Sequence, residues 1–166
     1  MPAESAAPSS RRSPEEILRA AGVTFTVHEH GPDGAPPPAS GTALKTLAVE
    51  TGGELVLAAL RAGDGVHPGK LAKALGVGRT TLNAVTPAAL QVELGFEPGW
   101  VSLLTDFPAA RLVDEAVPEL GTVHVAAGRP GVTIELAAAD LIAAAGATVA
   151  ELVAPPLTGA GNTADA

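Results

Sequence analysis

The chain contains no cysteine in its 166 residues. That excludes a thiol nucleophile, a thiolate metal site and any disulfide framework, and it fits a reducing compartment. Aromatic residues are nearly missing as well: three Phe, one Trp and no Tyr. A core must therefore be built from Val, Leu, Ile and Ala. No uncharged apolar run reaches the roughly 18 residues of a membrane span. The N-terminal MPAESAAPSSRR lacks the apolar stretch of a secretory signal, so the chain reads as cytoplasmic. Basic charge is also scarce. The formal net charge is −8, which argues against a broad basic face for nucleic acid and so against DNA.

What is present is apolar and rich in turn formers. Hydrophobic residues make up 46%, enough for a real core, with 19 Gly and 15 Pro to punctuate it. Residues 1–12 read as a disordered leader, 13–154 as one domain and 155–166 as a flexible tail. Ser13-Pro14-Glu15-Glu16 is a helix start: Ser13 caps, Pro14 suits the first helical position and Glu16 completes a capping box. Val23 to His28 alternates apolar and polar like a half-buried strand. Residues 31–42 form a Pro/Gly loop. Ala43–Glu50 and Glu54–Leu60 flank Gly52-Gly53 and predict a hairpin. Pro68–Leu75 predicts a short helix closed by Gly76, Thr80–Val85 a strand, and Thr86-Pro87 another helix running to Gly95. Arg111–Asp114 reads as a strand. Thr122–Ala126 and Val132–Leu136 predict a second hairpin, and Ala137–Ala145 a helix ended by Gly146. Hairpins interspersed with short helices indicate an α+β fold.

Lys45 lies in an otherwise apolar strand. A partly desolvated ammonium acts strongly on a nearby substrate oxygen. The same pattern fits an edge-strand lysine that keeps its charge in water. His28 and His30, two apart on a strand, share one face and can begin a metal site. No third ligand is indicated and Gly31-Pro32 follows at once, so the pair reads as a solvated strand end. His67 and His124 read as structural. Residues 63–70 have the wrong spacing for a phosphate loop, and Leu71 stands where Ser or Thr belongs. Ser102 has no flanking glycines and is no nucleophile elbow. Residues 70–86 carry the small residue, turn glycine and aliphatic of a helix-turn-helix, with Arg79, Thr80 and Asn83 on its second helix. Pro87 and the acidic charge argue against that reading.

Several segments taken together and in order resemble the YbaK/prolyl-tRNA-synthetase-associated-domain family of aminoacyl-tRNA deacylases. They are Leu44-Lys45-Thr46-Leu47, the Gly52-Gly53 turn, Lys70 to Gly76, Gly95-Phe96 leading to Gly99-Trp100-Val101-Ser102, and Val113-Asp114. Gly128-Arg129-Pro130-Gly131 follows, with Ile134-Glu135-Leu136 and Ala139-Asp140-Leu141. The resemblance implies a mixed, barrel-like sheet with short surrounding helices around a small pocket. It implies hydrolysis of the ester joining a wrong amino acid to tRNA, tRNA for proline above all. Lys45 takes the place of the family's lysine and is expected to stabilise developing negative charge. Gly99 to Leu103 takes the place of the Gly-x-x-x-Pro loop. There Gly99, Trp100, Val101 and Ser102 are expected to hold the substrate carbonyl through backbone N–H groups. Gly128, Arg129 and Gly131 would line the same mouth. Lys70, Lys73 and Arg79 are candidate contacts to the tRNA acceptor end. The resemblance implies no cofactor and no metal, and it makes prolyl-tRNA synthetase or the elongation machinery candidate partners.

The sequence departs from that family pattern at the loop. Leu103 replaces the proline, which removes a fixed backbone angle. Trp100 replaces a second glycine, which permits close approach in the family. Trp100 is expected either to shrink the pocket toward a small amino acid or to stack on the terminal adenine. A domain that binds the acceptor end without hydrolysing is the alternative.

Overall fold

The structure, a computed structural model, describes residues 12–30 and 41–154. It is an α+β arrangement of one mixed sheet and short helices, as expected. Helix α1 (Pro14–Ala20) begins with the capping box: the Ser13 hydroxyl accepts from the Glu16 N–H and the Glu16 carboxylate from the Ser13 N–H. Strand β1 (Thr26–Glu29) is shorter than its alternating pattern suggests. The predicted hairpin forms as β2 (Thr42–Thr51) and β3 (Glu54–Arg61). Its turn places Gly52 at φ +61° and Gly53 at φ +82°, a pair of left-handed angles that residues with a Cβ resist. The Pro/Gly loop lies mostly outside the described residues, as do residues 1–11 of the leader and the tail from 155. Arg12 is held by Asp106 through its backbone N–H and its guanidinium.

Helix α2 (Pro68–Leu75) ends at Gly76 as predicted, and the His67 ring caps it by accepting the Lys70 N–H. That is the structural role the sequence suggested for His67. The second helix of a helix-turn-helix does not form. Arg79–Thr81 is a single 3-10 turn, and Asn83–Ala84 (β4) is a two-residue strand on β2. Helix α3 (Pro87–Ala89) passes into a π turn, Leu90–Leu94, which Gly95 closes. Strands β5 (Ala110–Asp114), β6 (Thr122–Ala126) and β7 (Val132–Ala137) and helix α4 (Ala138–Ala145) follow the predicted pattern. Strand β8 (Thr148–Ala150), which no sequence signal marked, completes the sheet.

The strand order is β1-β7-β6-β2-β3-β5-β8, with β4 joined to β2. The pairings β2·β6, β3·β5 and β5·β8 are parallel and the others antiparallel. The sheet has edges at β1 and β8 and is not closed into a barrel. One face carries the main core, which joins Leu44, Leu57, Val123 and Ile134 to Leu18 of α1 and Leu141 of α4. Across β2 and β3 a smaller cluster, Val56, Ala58, Leu71, Leu112 and Leu152, seats α2 on the other face. Each fully buried Leu in these clusters contributes about 1.5–3 kcal/mol.

Candidate active site

Strand β2 loses a neighbour where Lys45 sits. On one edge it pairs with β6 only at Thr42 and Ala43, and with β4 only at Val49 and Glu50. Leu44 to Leu47 have no strand partner on that edge among the described residues. Lys45 itself is opposite Leu60 in β3 and half-buried. Its ammonium makes no hydrogen bond or ion pair to another described residue. Side chains alternate along a strand, so Leu44 enters the main core while Lys45 points to the opposite face, the one that carries Ala58 and Val56. A half-buried lysine beside a splayed strand, its ammonium without a hydrogen-bond or ion-pair partner among the described residues, can act on a ligand's oxygen.

The segment Gly99 to Leu103 has no regular secondary structure but is firmly anchored. Gly99 is exposed, and Trp100 is half-buried with its N–H bonded to the Glu97 carbonyl at 2.9 Å. Val101, Leu103 and Leu104 insert into the main core. Leu103 thus holds by burial a position that proline would hold by its ring. Ser102 is fully buried, and its hydroxyl accepts the Leu104 N–H at 3.0 Å. It stabilises the loop and cannot serve as a nucleophile. What this loop offers outward is therefore main chain and Trp100. The N–H groups of Val101, Ser102 and Leu103 find no acceptor among the described residues. Unpaired N–H groups on buried residues are uncommon and suit an incoming carbonyl oxygen.

Sequence reasoning missed the residue that ties this loop down. Arg111, in β5, donates to four carbonyls: Leu103, Ala109, Thr105 and Phe107. Burial pushes its pKa down, and the nearby Asp106 opposes that. Only a planar five-donor guanidinium can serve four carbonyls at once. No spacing rule in the sequence announces such a staple.

The Gly128–Gly131 turn meets the segment that leads into the loop. The Glu97 N–H donates to the Gly128 carbonyl at 3.0 Å. Gly128, at φ +89°, lies so close to Phe96 that a Cβ would come within 2.4 Å of the ring. Arg129 is not a free cation. It forms a two-pronged pair with Glu15 of α1, at 3.2 and 2.5 Å. Burial alone pushes the Glu15 carboxyl up, but the Arg129 hydrogen bond and charge outweigh it, so its pKa falls below the ordinary value. The Glu15 hydrogen bond in turn raises the Arg129 pKa. A cleft of about 340 Å³ lies here, lined by Gly128, Arg129, Phe96, Leu94 and the start of α1. The carbonyl of Gly131 accepts the His30 N–H at 2.6 Å.

The three tRNA-contact candidates fall near α2. Lys70 is committed to Glu151 at 2.5 Å and to the Val153 carbonyl. Lys73 and Arg79 are exposed. Asp114 of the Val113-Asp114 motif is buried and structural: it accepts the Ala116 and Leu152 N–H groups. The structure therefore joins the 128–131 turn to the approach of the 99–103 loop, and leaves Lys45 on the other side of β2 from that loop's buried side chains.

A model of the aminoacyl-tRNA editing domain matches residues 35–144, and the chain belongs to this family, the YbaK family. No curated protein sequence matches it. Solved structures share the fold. A scaffold protein from computational epitope backbone grafting has a TM-score of 0.74 at 22% identity, covering 86% of this chain and 96% of the other. A candidate trans-editing enzyme for prolyl tRNA synthetase has a TM-score of 0.70 at 21% identity, covering 84% and 97%. A hypothetical protein has a TM-score of 0.70 at 18% identity, covering 84% and 98%. Among the described residues no helix is long and apolar enough to cross a membrane.

Proposed function

We propose that this protein is a trans-acting aminoacyl-tRNA deacylase. It hydrolyses the ester of a mischarged tRNA, tRNA for proline being the expected substrate. Family membership supports the deacylase role, and the fold shared with a candidate trans-editing enzyme for prolyl tRNA synthetase supports the tRNA. The observation that carries the reading is Lys45: a half-buried cation at the splay of β2, without an internal counter-ion among the described residues. Water adds to the ester carbonyl carbon, and negative charge develops on the carbonyl oxygen. Lys45 stabilises that charge electrostatically. The acyl–oxygen bond then breaks, and the terminal ribose oxygen leaves with a proton. The products are the free amino acid and uncharged tRNA. Lys73 and Arg79 attract the acceptor end. Prolyl-tRNA synthetase and the elongation machinery are the proposed partners.

The test is ester loss from tRNA for proline charged with Ala, Cys or Ser. The wild-type chain is expected to release at least one of these amino acids. Binding without release would instead assign a silent acceptor-end-binding domain.

A further inference from the structure

The sheet assembles a group of side chains that the sequence holds far apart. His28 of β1, Glu135 of β7 and His124 of β6 sit on three adjacent strands. Glu135 is directly opposite His124, and His28 is directly opposite Thr133, one same-face step from Glu135. All three side chains point away from Ile134, Leu136, Val123 and Val125, which fill the core behind them. The possible ligand atoms lie within 4.8 Å of one another, and all three residues are half-buried. The His28 Nε2 is 2.8 Å from the Glu135 carboxylate. The His28 and His124 rings are 5.7 Å apart between centroids. His30 stacks on His28 at 6.1 Å, and its Nε2 meets the Thr133 hydroxyl at 3.0 Å.

We propose that His28, His124 and Glu135 bind a divalent transition-metal ion of the zinc class. Two imidazoles and one carboxylate make a borderline donor set that suits zinc, cobalt or nickel, not magnesium or calcium. The three residues stand on paired strands, so little chain entropy remains to be lost on binding. Ligands about 2.1 Å from a tetrahedral ion stand roughly 3.4 Å apart. The His28–Glu135 contact therefore opens by about half an ångström to admit the ion, within the reach of two half-exposed side chains. Water or substrate fills the fourth position. The site shares its sheet face with Lys45. His124 is opposite Ala43 in the parallel β2·β6 pairing, and Lys45 lies two residues further along β2.

This proposal stands apart from the deacylase reading and is tested without any activity. The tag-free full chain is stripped with a chelator, dialysed and titrated with zinc ion by calorimetry. The expected result is one ion per chain with a micromolar or tighter Kd. His28→Ala, His124→Ala and Glu135→Gln each weaken binding by about tenfold or more, while His67→Asn, away from the cluster, leaves it unchanged. Circular dichroism of each variant verifies the fold. Cobalt ion is a second probe, which should give the visible spectrum of a four-coordinate site. The proposal is overturned if the wild-type chain shows no saturable binding near one ion per chain. It is equally overturned if a folded His124→Ala chain binds zinc as tightly as wild type.

Discussion

Lys45 owes its chemical potential to missing neighbours. Leu44 and Thr46 flank it in β2, and the strand edge beside it is unpaired from Leu44 to Leu47 among the described residues. Arg129 shows the contrast: a cation in the Gly128–Gly131 turn that is already paired with Glu15. That pair makes a stability prediction with a definite sign. The folded Glu15 carboxyl has a pKa below its ordinary value of 4.5. Its contribution is complete above that ordinary value and is lost as pH falls through the lower folded value. Glu15→Gln should therefore cost about 1–2 kcal/mol at pH 7, Arg129 being nearly half exposed. The gap between variant and wild type should close in acid. Urea denaturation at pH 7 and near pH 3 measures it. A difference that stays constant across that range would argue that the pair carries no net stability.

At the scale of elements, the loop from Leu103 to Ala109 depends on β5 through one side chain. Removing the Arg111 guanidinium strands up to four carbonyls. Arg111→Met should destabilise the protein by about 2–3 kcal/mol, and Arg111→Lys should recover only a minor part. Hydrogen exchange should show amides of the 103–109 segment opening ahead of the sheet. Uniform exchange in the variant would show that the loop is held by its buried leucines alone. The sequence revealed the local elements well. The capping box of α1, the double-glycine hairpin and the Pro68 to Gly76 helix are set by neighbours within a few residues. It misplaced what depends on distant pairing. Residues 80–85 have strand propensity but find only two positions on β2 to pair with, and β8 exists because β5 offers it a parallel edge. The site was legible to the same extent. Lys45 and the glycine turns stood out as residue types, but the Arg111 staple, the Arg129–Glu15 pair and the grouping of His28, His124 and Glu135 arise only through tertiary packing. His124 and Glu135 carried no sign in the sequence that the sheet would bring them beside His28.

At the scale of the whole molecule, charge sets the terms for meeting tRNA. A chain of net charge −8 with few exposed, uncommitted cations near α2 can neutralise only a few phosphates. For two or three contacts to a single-stranded end, the slope of log binding constant against log salt should be about −1.4 to −2.1. Fluorescence anisotropy of a labelled acceptor-end RNA over a salt series measures it. A slope several times steeper would require a basic surface that the described residues do not present. On the proposed reading, an acidic domain that grips only the acceptor end gains its selectivity at the ester itself, where Lys45 is proposed to act. The most direct test compares wild type and Lys45→Ala for ester loss from mischarged tRNA for proline. The variant should lose about a hundredfold or more in kcat/KM, with circular dichroism and melting temperature unchanged. Unchanged turnover in a folded Lys45→Ala protein would contradict the role proposed for Lys45.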